Sequence, residues 1–228
     1  MAELIYFADD EKNIRDLLVP FLMHDGFSVQ AFERGDHLYE AYLRQKPDLI
    51  ILDVMMPGPD GLAIMEKIRQ TDQATPIILL TARDSDADFI RAFQLGTDDY
   101  FTKPFSPIKL SLHVKALLKR SHQEPAQASK AYQFLDLVLD CDKRQAALKG
   151  TDFPLTKTEF DLLLVLMEEA GSAYSRETLL DRVWGFDDVE SRAVDDTVKR
   201  LRKKLSQAQA QVAIKTVWGY GFKLGEQE

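Results

Sequence analysis

Three blocks of four consecutive apolar residues, Leu4-Ile5-Tyr6-Phe7, Leu49-Ile50-Ile51-Leu52 and Ile77-Ile78-Leu79-Leu80, constrain this chain more than any other feature of its sequence. Each runs into polar residues at its end. A strand with one wet face alternates apolar and polar residues, whereas an unbroken run suits a strand covered on both faces of a parallel sheet. Phe27-Ser28-Val29 and Tyr100-Phe101-Thr102 are weaker strand candidates. Helix-length amphipathic segments fill the intervals: Asn13 to His24, Leu38 to Arg44, Gly61 to Gln70, Asp86 to Leu95 and Pro107 to Arg120. Strand and helix alternating five times predict an α/β domain, a doubly wound five-stranded parallel sheet with right-handed crossovers.

That domain uses about half of the 228 residues. The apolar rhythm stops at Ser121 to Ala131 (SHQEPAQASKA), which reads as a polar linker. The expected division is residues 1–121, a linker over 122–131, and a second domain over 132–228. The second domain has short strand-like pieces within Tyr132 to Leu155, then helices over Lys157 to Ala170, Arg176 to Val183 and Arg192 to Leu205. A terminal hairpin, Ile214-Lys215-Thr216-Val217 and Phe222-Lys223-Leu224, turns through Trp218-Gly219-Tyr220-Gly221. Strands, then helices, then a hairpin predict an α+β domain.

Composition narrows the function classes. The single cysteine, Cys141, rules out a disulfide framework and a thiolate metal cluster, as expected in a reducing compartment. No apolar run approaches the roughly 18 residues of a membrane span, and acidic residues come too early for a signal peptide. The expectation is a soluble cytoplasmic protein. The net charge of −8 divides as −5 over residues 1–121 and −3 over 122–228, so the chain does not coat nucleic acid with its whole surface. Locally, however, Lys199, Arg200, Arg202, Lys203 and Lys204 fall within six positions.

In an open parallel sheet, ligands bind beyond the carboxyl ends of the strands. Four predicted strands end in groups with chemistry to offer: Asp9-Asp10, Asp53, Thr81 and Lys103. Three carboxylates at one sheet edge repel one another and recruit a hard, oxygen-ligated cation, for which Mg²⁺ is the natural choice. A carboxylate beside such an ion can attack a phosphoryl donor, while the lysine shares the charge on the transferring oxygens and the threonine hydroxyl binds the product phosphate. Taken singly, each residue has a plainer reading. Asp-Asp is a turn or helix cap, Asp53 and Thr81 are loop residues, and Lys103 is a solvated charge. Four strand ends agreeing on one chemistry outweigh those readings.

These residues carry a family resemblance. Asp9-Asp10, the run Leu49-Ile-Ile-Leu-Asp53-Val-Met-Met-Pro-Gly-Pro-Asp-Gly61, Leu80-Thr81-Ala82-Arg83 and Gly96-Thr-Asp-Asp-Tyr-Phe-Thr-Lys103-Pro-Phe105 resemble the receiver domains of response regulators, which have a flavodoxin-like fold. The resemblance implies that Asp53 is the phosphoacceptor and that Asp9, Asp10, Asp53 and the Met55 carbonyl hold Mg²⁺. It also implies that Lys103 pairs with the phosphate before a cis bond to Pro104, and that Thr81 and Tyr100 are switch residues. The donor would be a cognate histidine kinase.

In the second domain, Val194, Val198, Leu201 and Leu205 recur at helical spacing and face a core. A helical projection puts Arg192, Asp196, Lys199, Arg200 and Lys203 on the opposite face, a charge match for a DNA groove. The competing reading is a solvated basic face near a helix C-terminus. Leu155-Thr-Lys-Thr-Glu-Phe160, Ser175-Arg-Glu-Thr-Leu-Leu-Asp-Arg-Val-Trp-Gly185, the helix from Arg192 to Leu205 and Ile214-Lys-Thr-Val-Trp-Gly-Tyr-Gly-Phe-Lys-Leu224 resemble the winged-helix output domain of the OmpR/PhoB family. That resemblance makes the helix from Arg192 a recognition helix for double-stranded DNA and the hairpin a wing. Arg192, Asp196, Lys199, Arg200, Arg202, Lys203, Thr216, Trp218 and Tyr220 are the expected DNA contacts. Asp196 stands within a basic row, where it would accept from a cytosine amine or orient a neighbouring cation. Trp218 stands where the family often has arginine.

Members of that family dimerise through the receiver face formed here by Asp86–Leu95, Tyr100–Lys103 and Pro107–Arg120. Its opposite-charge pairs are altered in this chain. Phe89 and Lys109 replace a basic–acidic pair, Gln94 replaces an acid facing Lys115, and His113 stands where an arginine meets Asp99. Phe89 and Phe93 would give apolar packing instead; His113 is either a pH-sensitive partner or an exposed histidine with no such role. The expected function is therefore a phosphorylation-dependent transcriptional regulator that dimerises on activation, with a phosphorylation-independent regulator as the alternative. An enzyme is not expected. A phosphohydrolase would need an acid two residues beyond Asp53, where Met55 stands, and an FMN site would be repelled by Asp9-Asp10-Glu11.

Overall fold

A computed structural model describes residues 2–82, 95–119, 131–185 and 192–227. The chain divides into two compact units, Met1–His122 and Gln123–Glu228. The expected helix over Asp86–Leu95, with Phe89, Phe93 and Gln94, lies outside the described residues except for Leu95. So does the expected linker except for Ala131, which already opens a strand.

In the first unit, strands β1 (Leu4–Ala8), β2 (Ser28–Phe32), β3 (Leu49–Asp53), β4 (Ile77–Thr81) and β5 (Asp99–Thr102) form one parallel sheet in the order β2-β1-β3-β4-β5. The described helices are α1 (Lys12–His24), α2 (Gly35–Arg44), α3 (Gly61–Arg69) and α4 (Pro107–Lys119). Both faces of the sheet are covered, which explains the unbroken apolar runs. Tyr6, Ile50, Leu52, Ile77 and Leu79 pack against Leu38 and Tyr42 of α2 and Leu62, Met65 and Ile68 of α3. The alternate residues Ile5, Phe7, Leu49, Ile51, Ile78 and Leu80 pack against Leu18 and Leu22 of α1 and Leu110, Val114 and Leu118 of α4. Successive side chains of a strand point to opposite faces, so each strand feeds both cores.

A buried ionic cluster joins α3 to the sheet. The Arg69 guanidinium donates to Asp98 Oδ2 at 2.8 Å, to the Gly96 carbonyl at 2.9 Å and to the Thr75 carbonyl at 2.8 Å. Nearby Asp72 accepts from the Tyr42 hydroxyl at 2.9 Å, the Thr75 hydroxyl at 2.8 Å and the Ala74 N–H at 2.8 Å, with Lys46 Nζ at 2.9 Å.

The second unit begins with an antiparallel meander of β6 (Ala131–Phe134), β7 (Leu137–Asp140), β8 (Gln145–Leu148) and β9 (Thr151–Asp152). Three helices follow: α5 (Lys157–Glu168), α6 (Arg176–Trp184) and α7 (Arg192–Gln207). A capping box starts α5, with Thr156 accepting from the Glu159 N–H and Glu159 accepting from the Thr156 N–H. Ser175 caps α6, and Gly185 closes it at φ 79°. The hairpin strands β11 (Val212–Val217) and β12 (Gly221–Glu226) are longer than the sequence predicted. They gain a two-residue partner, β10 (Tyr174–Ser175), that the periodicity did not reveal. Val194, Val198, Leu201 and Leu205 of α7 are all buried, as their spacing required. Among the described residues, no helix is long and apolar enough to cross a membrane.

Candidate functional site

The carboxyl edge of the first sheet gathers the predicted pocket. Asp9 follows β1, Asp53 ends β3, Thr81 ends β4 and Lys103 follows β5. The parallel register that pairs Ala8 with Leu52, Asp53 with Leu80 and Thr81 with Thr102 brings these ends level. Lys103 Nζ lies 2.8 Å from Asp53 Oδ2, 2.9 Å from Asp9 Oδ2 and 2.9 Å from Glu11 Oε1. The backbone holds that lysine in place: its N–H donates to the Thr81 carbonyl at 2.7 Å, and the Lys103–Pro104 bond is cis as expected. Asp53 Oδ1 accepts the Met55 N–H at 3.1 Å. Gly61 closes the loop beneath, and a Cβ there would sit 2.1 Å from the Asp53 carbonyl oxygen.

The electrostatics suit a cation and an anion in turn. Burial pushes the Asp9 carboxyl up to about 6, because the nearby Lys103 ammonium only partly offsets desolvation and the neighbouring Asp53 charge. Burial likewise raises Asp53. Lys103 is held well above the ordinary lysine range, since contacts with Asp53, Asp9 and Glu11 outweigh its own desolvation. Asp9, Asp10 and Asp53 each present a carboxylate oxygen within 4.8 Å of the others. Asp9 Oδ2 is buried and receives no well-aligned hydrogen bond, only the charge of Lys103. A buried carboxylate oxygen that has only an ammonium charge beside it and faces two other acids fits a divalent cation held by oxygen ligands.

Two residues here escaped the sequence reading. Glu11 shares Lys103 with the two aspartates, and its N–H donates to Asp9 Oδ1 at 2.9 Å. Arg15 donates to the Asp9 and Asp10 carbonyls at 2.7 and 2.9 Å and so fixes the acidic loop. The run of three acids was the available signal for Glu11; nothing local pointed to Arg15. Thr81 is fully buried, and Tyr100 is half-buried against the core on the α2–α3 side. His113 is not the exposed histidine considered above. Its side chain is 11 % exposed, Nδ1 pairs with Asp99 Oδ2 of the same chain, and the ring packs edge-on to Phe101 at 4.7 Å.

In the second unit, α7 presents Lys199 and Lys203 to solvent, with Asp196 half-buried. The helix includes Arg192, but its side chain lies outside the described residues. Arg200 departs from expectation. It is 7 % exposed and turned inward, with Nε 3.5 Å from Glu159 Oε1 and Nη2 donating to Thr197 Oγ1 at 3.2 Å. A helical projection treats each residue as a ray, whereas a long arginine swings toward a buried acid. Lys204 completes that cluster, 2.6 Å from Glu159 Oε2. Arg202 also has a structural partner: it donates to the Ile214 carbonyl and to Thr216 Oγ1, both at 2.8 Å, and so ties α7 to the hairpin. Arg176 grips Asp195 of α7 through two hydrogen bonds of 2.9 Å. Trp218 and Tyr220 are exposed at the hairpin tip.

Comparison with known proteins agrees with both halves. Residues 5–115 match the family described as response regulator receiver domain, and residues 150–224 match transcriptional regulatory protein, C terminal. The transcriptional regulatory protein ResD of Bacillus subtilis is 40 % identical over 227 residues, covering 96 % of this chain and 94 % of that protein. The transcriptional regulatory protein SrrA of Staphylococcus aureus is 36 % identical over 231 residues, covering 98 % and 95 %. Among solved structures, the response regulator DrrB, an OmpR/PhoB homolog from Thermotoga maritima, is 35 % identical with a TM-score of 0.51, covering 98 % and 99 %. On these matches, and on the sheet-edge pocket and helix–hairpin unit that accompany them, the chain belongs to the response regulators of the OmpR/PhoB type, transcriptional regulators that join a receiver domain to a C-terminal DNA-binding domain.

Proposed function

We propose that Asp53 accepts a phosphoryl group from the phosphohistidine of a cognate histidine kinase, and that this modification promotes receiver dimerisation and sequence-specific DNA binding. The observation that carries the reading is the position of Asp53. A strand-end carboxylate with a 2 % exposed side chain lies 2.8 Å from an ammonium group and beside two further acids. A carboxylate oxygen of Asp53 attacks phosphorus as the phosphorus–nitrogen bond of the donor breaks, and the imidazole leaves with the electron pair. Lys103 neutralises charge on the transferring oxygens, and the Thr81 hydroxyl at the neighbouring strand end binds the product phosphate. Mg²⁺, held by Asp9, Asp10, Asp53 and the Met55 carbonyl, would supply charge neutralisation at the phosphoryl oxygens. Thr81 and Tyr100 would carry the change to the face formed by Asp86–Leu95, Tyr100–Lys103 and Pro107–Arg120. The protein acts as a regulator without substrate turnover, in the cytoplasm, where its kinase and DNA partners meet.

On the DNA side, the exposed Lys199 and Lys203, with Arg192 and Asp196, face the major groove, and the hairpin residues Thr216, Trp218 and Tyr220 reach the adjoining backbone and groove. Arg200 and Arg202 support this surface and do not form it. In this reading residues 1–121 are the receiver, the stretch up to residue 130 is the linker, and the DNA-binding domain starts with β6 at Ala131.

A small phosphoryl donor tests the chemistry directly. With Mg²⁺, the full chain should gain one phosphoryl group by intact mass. Asp53→Asn or chelation of the metal should abolish the gain, and Lys103→Met should reduce it. Undiminished labelling of Asp53→Asn would reject the assignment.

A further inference from the structure

Glu11 stands at the N-cap of α1, yet its side chain makes no capping hydrogen bond. Short polar side chains favour that position because they accept from the first helical N–H groups. Here the backbone does the local work: the Glu11 N–H donates to Asp9 Oδ1 at 2.9 Å, and its carbonyl accepts from Ile14 at 3.1 Å and Arg15 at 3.2 Å. The side chain instead crosses to the far strand end, where Oε1 accepts from Lys103 Nζ at 2.9 Å. A half-exposed ion pair contributes little to stability, so holding the fold together is a small part of what this contact does.

The three acids around that ammonium are not equivalent. The side chains of Asp9 and Asp53 are 0 % and 2 % exposed, whereas that of Glu11 is 48 % exposed. Lysine has three donors. Hydrogen bonds run from Nζ to Asp53 and Glu11, while Asp9 Oδ2, at 2.9 Å, receives none that is well aligned. The two buried acids are the ones that the pocket's chemistry claims. A divalent cation would draw on both, and a phosphoryl group on Asp53 removes that carboxylate's charge and takes ammonium donors for its own oxygens. Of the three, Glu11 alone is needed by neither event, and its exposure lets the side chain swing into water.

We propose that Glu11 is a positioning residue acting through Lys103: it keeps the ammonium paired while the aspartates serve the cation, and it competes with the incoming phosphoryl group for the same donors. The proposal rests on the phosphoacceptor reading of Asp53 and adds a residue that restrains how readily that acceptor is modified. Opposite effects on two ligands follow. Without Glu11, Lys103 leans wholly on the carboxylates that a cation needs, so Mg²⁺ binds more weakly. With the competitor gone, an anion on Asp53 has the ammonium to itself and binds more tightly. Lys103 stays within reach in either case, because its N–H is bonded to the Thr81 carbonyl at 2.7 Å.

The test uses the full chain in two titrations: Mg²⁺ alone, followed by calorimetry, and beryllofluoride at saturating Mg²⁺, followed by fluorine NMR. Glu11→Gln should bind Mg²⁺ about 3-fold more weakly and beryllofluoride about 3-fold more tightly, the scale of one exposed ion pair. A merely structural role would weaken both. Glu11→Asp separates pairing from charge, since it keeps the charge but is too short for Lys103 and turns back to cap α1. It should follow Glu11→Gln in both titrations and melt no lower than the wild type. In a Lys103→Met background, Glu11→Gln should shift neither affinity. The proposal is overturned if Glu11→Gln moves the two affinities together or not at all, if Glu11→Asp binds both ligands as the wild type does, or if the shifts survive in Lys103→Met. All three leave the phosphoacceptor reading standing. If the wild type itself binds no beryllofluoride, that reading fails and takes the role of Glu11 with it.

Discussion

Five basic residues cluster on α7, and their burial divides the work among them. Lys199 and Lys203 are exposed, whereas Arg200 and Lys204 converge on Glu159, whose carboxyl is held below the usual range. Burial would raise it, but the charges of Arg200 and Lys204 prevail. Removing one member of a buried ionic cluster leaves charge without compensation. Arg200→Met should therefore destabilise the DNA-binding domain by about 3 kcal/mol, the lower end of the range for a broken buried pair because Lys204 remains. Lys199→Ala should leave the melting temperature unchanged and flatten the salt dependence of DNA binding by about 0.9 in slope. Thermal melting and salt titration of both variants check the division, and a stable Arg200→Met with weakened DNA binding would reverse it.

At the scale of elements, two glycines show how closely backbones approach where function is placed. A Cβ at Gly61 would meet the Asp53 carbonyl, and one at Gly221 would meet the Tyr174 carbonyl, both at about 2 Å. Backbone cannot yield as a flexible side chain does, so alanine at either site should cost about 1–3 kcal/mol, as overpacking does. Gly61→Ala should also slow phosphorylation by displacing Asp53, which labelling kinetics would detect; unchanged stability and rate would refute the close approach. The parallel strands were legible because burial on both faces leaves unbroken apolar runs such as Ile77–Leu80, and Asp9, Asp53, Thr81 and Lys103 were legible because each sits at or just beyond a strand end, unlike Glu11 and Arg15. Strand β10 was not, since two residues carry no periodicity. The inward turn of Arg200 and the bonds of Arg202 to β11 were not legible, because side-chain length, charge partners and neighbouring strands decide where an arginine goes.

At the scale of the molecule, stability and signalling each have a separate test. Asp72 is titrated well below the ordinary carboxylate range: burial opposes this, but Lys46, Thr75 and Tyr42 outweigh it. A carboxyl with a depressed folded value stabilises the fold fully above its unfolded value near 4, and that stability drains away as pH falls below it. Denaturant unfolding followed in the receiver should show this acid limb in the wild type. Asp72→Asn should be less stable at neutral pH and show a shallower limb, and parallel curves for the two would remove Asp72 from the account.

The central claim is that phosphorylation at Asp53 governs assembly on DNA. The most direct measurement is sedimentation together with DNA binding for the wild type and Asp53→Ala, each in Mg²⁺ with and without beryllofluoride. The account predicts that beryllofluoride makes the wild type alone dimerise and bind DNA more tightly. If both proteins bind DNA equally and neither responds, the pocket is uncoupled from the output, and the chain is a regulator that works without phosphate.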